Sequence, residues 1–556
     1  MEKLWEFKYL LILIILSYFF LMFGNGILSL TNPDEVFYAQ TAREMVKHNS
    51  WMTPHLFGQP QFEKPILTYW LLRLAFIIFG ITSFSARFFP ALFAMIGVVA
   101  VYFFGLLWFK DEKKAFLSGL ILMSGGLYIG LARTLFTDLI FSIFILFSLL
   151  SFFWGYSARD KKTAGLLLFF IFSALAVLTK GPLGFLIPIF TVCVFLFIKA
   201  DIKFLFCKSL VWGFLIFLAI SLPWYMLMAT KFGRSFTYEF FYNDHIRRVL
   251  EAEHSGNDTW YFYPVSIIGC MFPWSLFVAG SLMYLPKYLR RKENPFLIFL
   301  ASWIVAVFII FQFAHSKLTS YIFPLFPALA LFTAHFITEK MEAKKRIILF
   351  ISLFNIFILI LILSGLIFGL IRYQGLIIQY MQSGFPVFFL IAGFFALIIL
   401  IIKLILQKKL LRAVCSFALV MPVILIIVPL IKNGIEQYLS SKLASGYLLK
   451  NYDVKNTIIC SKPYVRGVRY YTQKEVACTS IPGLPFFSPH PIPFLNKDEL
   501  VQDFLRKQST TYCVLKKSSI EDIQRLTEGN DFKCTLLKVI GNEYLIKIEH
   551  LSKAQK

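Results

Sequence analysis

The chain alternates long apolar runs with short polar breaks. Many runs reach or approach the roughly 20 apolar residues that cross a bilayer. A backbone in lipid must satisfy its own hydrogen bonds, so these runs read as membrane helices. The pattern predicts about thirteen spans, at 8–30, 84–108, 115–131, 139–156, 163–179, 182–199, 204–229, 261–286, 296–313, 319–338, 346–371, 384–402 and 413–431. One further run, "ILTYWLLRLAFIIFG" (66–80), is short and carries Arg73. It reads as an interfacial or re-entrant helix. After about residue 432 the period changes. "NTIICSK", "STTYCVLKK" and "EYLIKIEH" alternate as strands, while "LNKDELVQDFLRKQS" and "SSIEDIQRLTEG" read as helices, the second with a serine cap and a glycine stop. "IPGLPFFSPHPIPF" (481–494) is a proline-rich loop. The expected organisation is an α-helical polytopic membrane domain over 1–431 and a small α/β domain over 432–556.

Composition agrees with this pattern. Of 556 residues, 58% are hydrophobic and only 15% charged, and the mean hydropathy is +0.71. The formal net charge of +24 suggests nucleic acid at first sight. The positive residues, however, sit in short loops between spans, which is the positive-inside signature. "KDEKK" (110–114), "SARDKK" (157–162), "KADIKFLFCK" (199–208), "KYLRRKE" (287–293), "EKMEAKKR" (339–346) and "KLILQKKLLR" (403–412) would all face the cytoplasm. The first span is too long for a signal-peptide core and lacks a cleavage site, so it reads as an uncleaved anchor with a cytoplasmic N-terminus. Counting 66–80 as a span would invert every basic loop after it.

This parity puts residues 31–83, the turns near 132–138, 180 and 314–318, a longer loop at 230–260, and everything after 432 on the opposite, periplasmic side. The unusual polar residues collect there. Of the eight cysteines, Cys460, Cys478, Cys513 and Cys534 fall in the C-terminal segment. No CxxC pair points to a zinc ribbon or a thioredoxin. An extracytoplasmic setting leaves one or two disulfides open.

The outer side carries several charged motifs, each with two readings. In "TNPDEVFYAQTAREM" (31–45), Asn32 fits an N-cap, Pro33 the first helical residue and Glu35 a capping box, while Asp34 suits the helix dipole or chemistry at the membrane surface. In "GQPQFEKPILTYW" (58–70), Lys64 opposes the dipole of the next helix unless an anion such as phosphate sits at its mouth. Otherwise Glu63 and Lys64 form a weak surface arrangement. "LARTLFTDL" (131–139) places Arg133 and Asp138 at a span boundary, where Thr137 and Asp138 also suit a cap. Lys180 in "LTKGPLG" (178–184) reads as snorkelling. "YNDHIRRVLEAEH" (242–254) groups His245, Arg247 and Arg248, which suits an anion or a metal. "HSKLTSYIFP" (315–324) sets Lys317 and Tyr321 four apart on a helix start. Carboxylates beside Lys and Arg on one side of one membrane are what transfer from a lipid phosphate requires.

"PDEVFYAQTAREM", "PHLFGQPQFEKPILTYW", "FGITSFSARF", "NDHIRRV", "YFYPVSIIGCMFPW" and "SKLTSYIFPLFPALA" together resemble the lipid A aminoarabinose (4-amino-4-deoxy-L-arabinose) transferases. These belong to the GT-C-fold glycosyltransferases that use polyprenyl-phosphate sugars, a group related to the protein O-mannosyltransferases. The resemblance covers the N-terminal three-fifths of the chain. It implies catalytic roles for Asp34 and Asp138, and carrier-phosphate binding by Lys64, Arg248 and Tyr321, with Lys317 added from its place beside Tyr321. Glu63 and His245 match positions associated with a divalent metal, zinc or else magnesium or manganese. No nucleotide cofactor is expected, and the sequence carries neither a P-loop nor a GxGxxG unit. In one departure, Phe37 stands where the resemblance implies a basic residue.

The implied reaction moves a sugar from undecaprenyl phosphate to a lipid acceptor at the periplasmic face of the inner membrane, with aminoarabinose and lipid A as the leading pair. Such lipopolysaccharide modification would bear on polymyxin resistance. A protein or another envelope glycan is the alternative acceptor. A lipid or sugar transporter is a different class, and it predicts paired broken helices in two similar halves. No such duplication is visible in the sequence.

Overall fold

The apolar runs fold as helices, and the polar breaks fall at their ends. The computed structural model describes residues 8–253, 255–291, 294–373, 385–481, 483, 491–528 and 532–551. Among these, eight helices are long and apolar enough to cross a membrane, or up to ten if each of two bent pairs is one span. The bent pairs are Glu112–Met123 with Gly126–Ala132, at 63°, and Leu410–Leu425 with Ile427–Leu439, at 44°. The thirteen expected spans exceed this number at 8–30, 182–199 and 261–286. There the helices are short (Lys8–Met22, Leu183–Lys199) or interrupted between Phe262–Cys270 and Ser275–Arg291. The 66–80 run forms the 14-residue helix Ile66–Phe79.

In lipid, helices associate by close packing rather than by expulsion of water. Small residues decide where they meet. Helices Thr137–Ser157 and Lys162–Lys180 form a hairpin, and Gly155 and Gly165 face each other across it. A Cβ on Gly155 would lie 2.9 Å from the Gly165 Cα. Phe152 and Phe153 then stack with Phe299 (6.2 and 4.6 Å between ring centroids) and meet Phe195 edge-on at 6.2 and 5.9 Å. These rings belong to the main apolar core.

Two short strands, β1 (His55–Leu56) and β2 (Gln59–Pro60), make a small hairpin in the first polar stretch. The C-terminal segment forms a six-stranded sheet from β3 (Ile458–Ser461), β4 (Val476–Thr479), β5 (Phe494–Leu495), β6 (Thr510–Leu515), β7 (Phe532–Ile540) and β8 (Glu543–His550). Its order is β5-β4-β3-β6-β8-β7. The first four strands run parallel, whereas β8 is antiparallel to both β6 and β7. Parallel neighbours need crossovers, and helices Val465–Thr472 and Asp498–Arg506 lie in two of them. Helix Lys517–Thr527 starts without a side-chain cap, so the expected serine cap is not formed. All eight cysteines are free thiols, including Cys460 and Cys478, which are register partners across β3 and β4. Most of the proline-rich stretch 481–494 lies outside the described residues, as do His254 and residues 292–293 of the expected loops.

Helix Val465–Thr472, which the periodicity of the segment does not predict, joins the C-terminal segment to the first polar stretch. Arg43 donates to the Tyr470 carbonyl at 2.7 Å and stacks on the Tyr470 ring at 3.9 Å. Tyr471 Oη donates to the Leu30 carbonyl at 3.0 Å. A Cβ on Gly467 would overlap the Asn32 side chain, so glycine is what permits this approach.

Candidate active site

The site begins with the turn before helix Asp34–Lys47. Glu35 is fully buried. Arg87 grips it with Nε at 2.7 Å and Nη2 at 2.6 Å, and it also accepts from the Thr31 amide at 2.9 Å and the Leu135 amide at 2.8 Å. Burial alone would raise the Glu35 pKa, but the Arg87 hydrogen bond and charge prevail and lower it. Asn32 does not cap the helix. Pro33 holds the cap position with no side-chain bond, and Asn32 Nδ2 donates instead to Ser441 Oγ at 2.6 Å. With Glu35 locked inward, the neighbouring Asp34 side chain remains 54% exposed and lines a cavity of about 470 Å³.

That cavity gathers residues from across the chain. Asp34, Glu63, Lys64, Asp138, His245, Arg248 and Tyr321 all line it. Lys317 is not among its lining residues. Its buried ammonium binds Asp258 at 3.1 Å and the Thr259 carbonyl at 3.1 Å. Four residues apart at a helix start was a poor guide, because Lys317 precedes the turn Thr319–Leu325 that carries Tyr321.

The hairpin of helices Thr137–Ser157 and Lys162–Lys180 sets one ion pair. Its tight end near Gly155 leaves the start of the first helix and the end of the second side by side. Lys180 Nζ therefore donates to Asp138 Oδ1 at 2.6 Å and lies 4.8 Å from the Tyr321 ring centroid. The expected snorkelling of Lys180 is replaced by this partly buried pair. Asp138 does not cap its helix.

The long outer loop expected at 230–260 is largely helical. Helix Lys208–Thr237 continues through a π-helical turn, Tyr238–Ile246, into Arg247–Leu250. Such turns recur at functional sites, and this one carries Asp244 and His245, with Arg248 in the helical turn that follows. Lys64 Nζ donates to Asp244 Oδ2 at 2.6 Å, and Arg248 Nε forms an ion pair with Asp244 Oδ1 at 3.0 Å. Arg248 Nη1 also reaches Glu253 at 2.5 Å and donates to Tyr321 Oη at 3.1 Å. Sequence reading passed over Asp244 and Glu253. The i, i+4 relation of Asp244 and Arg248 was the available signal.

His245 Nδ1 donates to the Phe240 carbonyl at 2.7 Å, so in the neutral ring Nε2 is left as a lone-pair acceptor, 3.4 Å from the Lys180 carbonyl. Nε2 sits against Gly181, whose φ of +106° and absent Cβ make room for it. Glu63 lines the same cavity, and burial raises its pKa against the pull of Arg466 and Lys64. Among the described residues, no three of His, Cys, Asp or Glu are grouped to hold a metal ion. Glu63 and His245 alone fall short of the three protein donors typical of a catalytic zinc site.

Arg466, which sequence reading missed, also lines the cavity. It comes from helix Val465–Thr472 and places Nη1 3.5 Å from Asp34 Oδ1. Its guanidinium stacks 4.8 Å over the ring of Phe37. The cavity walls partly desolvate the half-exposed Asp34 carboxyl and raise its pKa, Arg466 lowers it, and the net direction is upward. Cations that already clasp carboxylates can bind a phosphate, and the carboxylate open to the cavity can receive a proton.

Several known proteins are similar to this chain in sequence or in fold. Residues 7–238 match the family model described as dolichyl-phosphate-mannose-protein mannosyltransferase. An uncharacterised protein of Aquifex aeolicus (strain VF5) is 31% identical over 363 residues, 65% of this chain and 70% of that one. The undecaprenyl phosphate-alpha-4-amino-4-deoxy-L-arabinose arabinosyl transferase 2 of Proteus mirabilis (strain HI4320) is 31% identical over 315 residues. That match spans 55% of this chain and only 55% of the Proteus protein. The crystal structure of ArnT from Cupriavidus metallidurans bound to undecaprenyl phosphate superimposes with a TM-score of 0.75 at 16% identity, over 97% of this chain and 98% of that one. This likeness shows a shared fold. The chain therefore has the fold of that transferase, belongs with the uncharacterised Aquifex protein, and is similar to the mannosyltransferase family model over residues 7–238 and to the aminoarabinose transferases over little more than half of their length.

Proposed function

We propose that this protein transfers a sugar from undecaprenyl phosphate to a lipid acceptor at the periplasmic face of the inner membrane, with aminoarabinose as the sugar and lipid A as the acceptor. The observation that carries the reading is the single cavity in which Asp34 faces the Lys64–Asp244–Arg248 cluster. The sugar and carrier are those for which relatives such as the Proteus transferase are named. The basic loops expected on the cytoplasmic side support the orientation, with residues 432–556 as a separate periplasmic domain.

In this reading the carrier's phosphate exchanges with Asp244 for contacts to Lys64 and Arg248, and Tyr321 Oη donates to it. The acceptor oxygen attacks the sugar's anomeric carbon, the bond from that carbon to the phosphate oxygen breaks, and undecaprenyl phosphate leaves with the electron pair. The cations stabilise the departing charge. Asp34 orients the acceptor and takes its proton where it has one. Asp138 holds Lys180 beside Tyr321. A divalent ion held by Glu63 and His245 would add positive charge near the phosphate, and the route just described has no step that requires it.

The test is transfer of labelled sugar in membranes by the wild type, Asp34→Asn and Lys64→Ala. Both substitutions should abolish transfer, and unchanged turnover in both would overturn the mechanism. The match to the mannosyltransferase family favours a second reading, with a protein or another envelope glycan as acceptor. The mass of lipid A from a deletion strain separates the two: a loss of one aminoarabinose supports lipid A, and no change supports the second reading.

A further inference from the structure

The cavity is not closed by the membrane helices alone. Helix Val465–Thr472, from the C-terminal sheet segment, sends one side chain into it. Arg466 is only 14% exposed. It lies on the apolar face of Phe37 at 4.8 Å and beside Asp34 at 3.5 Å. A cation over an aromatic ring in a partly desolvated site is held in direction as well as in place. The planar guanidinium presents a donor fork whose geometry matches phosphate oxygens.

The helix that bears it is fastened on both sides. Arg43 binds the Tyr470 carbonyl, Tyr471 binds the Leu30 carbonyl, and Gln473 reaches Gln40 at 3.3 Å. Gly467, next to Arg466, lets the helix press against Asn32. Asn32 in turn holds Ser441, which donates to Glu543 of β8 at 2.5 Å. These contacts fall at Leu30 and Asn32, just before Asp34, and at Gln40 and Arg43 along its helix. The seating of the C-terminal segment and the position of Asp34 are therefore set by the same bonds.

The pairing of Arg466 with Asp34 repeats the pattern of the other cavity cations. Lys64 and Arg248 clasp Asp244, and Lys180 clasps Asp138. In each case a carboxylate occupies the place beside the cation that a substrate anion would otherwise fill. The Asp34 contact is the longest of these at 3.5 Å, against 2.6 to 3.0 Å for the others.

We propose that Arg466 is a substrate-binding residue of this site, contributed by the C-terminal segment, and that it contacts the phosphate of the polyprenyl carrier from the Phe37 side. This rests on the transferase reading above. Leaving Asp34 for the phosphate, Arg466 would couple carrier binding to release of the carboxylate that meets the acceptor. Because the guanidinium lies directly over the Phe37 ring, an arginine introduced at position 37 would bring its charge to the same part of the cavity.

The test measures binding of undecaprenyl phosphate to the purified full-length protein in detergent, with thermal unfolding without lipid as the check on folding. R466A should weaken binding roughly tenfold to a hundredfold, the range for loss of a charged hydrogen bond. R466K should fall between R466A and the wild type. F37R in the R466A background should recover most of the loss. Wild-type binding by R466A, or a folded F37R/R466A double variant that binds no better than R466A, would overturn the proposal. A wild type that does not bind undecaprenyl phosphate would instead overturn the transferase reading beneath it.

Discussion

Lys64 and Asp244 form a 2.6 Å ion pair between the first polar stretch and the π-helical turn before Arg247. The same carboxylate takes Arg248 at 3.0 Å and is 5% exposed. Removing one partner of a buried pair typically costs about 3–5 kcal/mol, because the remaining charge is stranded. Asp244→Ala should therefore lower the unfolding temperature in detergent. Added undecaprenyl phosphate should raise it more in this variant than in the wild type, since it supplies the missing anion. Equal shifts in both proteins would mean that Asp244 does not occupy the phosphate's place.

The two lysines that sequence reading ranked in the opposite order should separate kinetically. Lys180→Ala removes a cation from the cavity and should lower turnover roughly a hundredfold, as loss of one charge-stabilising donor does. Lys317→Ala breaks a pair with Asp258, which is 28% exposed, and should change turnover by less than about threefold, in keeping with the small worth of such pairs. Steady-state rates of the two variants in membranes decide the matter.

Asp34 titrates above the usual carboxylate range, through burial, with Arg466 pulling the other way. If its ionised form meets the acceptor, turnover falls as pH drops through that raised value, and the acidic limb lies above the ordinary aspartate value of about 3.9. Removing Arg466 should shift the limb to higher pH. The pH–rate profiles of the wild type and R466A show whether it moves, and a shift to lower pH would contradict the assignment.

Glu35 is a structural carboxylate, and its substitution should act on stability. Its pKa is lowered in the fold, so its contribution is present above the unfolded value of about 4.3 and is lost as pH falls through the folded value. Glu35→Gln leaves Arg87 buried without its counter-charge, at a cost of about 3–5 kcal/mol. Thermal unfolding at neutral pH should show a large drop. Below the folded pKa of Glu35 the wild type should lose most of its advantage over the variant.

The sequence by itself determined the membrane-helical class and most helix positions, because a lipid-exposed backbone admits few alternatives and the apolar runs are long. It marked the C-terminal strands β3, β6 and β8 through their alternation. It also placed Asp34, Lys64, Asp138, Arg248 and Tyr321 as candidates, because charge beside a membrane span is costly enough to stand out. Only the tertiary structure decided which of these residues meet. Lys180 joined the cavity and Lys317 left it because partner choice depends on helices packing across the bundle, such as the Gly155–Gly165 crossing. Helix Val465–Thr472 and its Arg466 stayed hidden for the same reason. Eight residues with a central glycine carry little helical signal of their own, and their order comes from Arg43, Leu30 and Asn32, which lie more than four hundred positions away. Local pattern records what each segment needs to bury, while the choice of neighbour is made by long-range contacts that one segment alone does not encode.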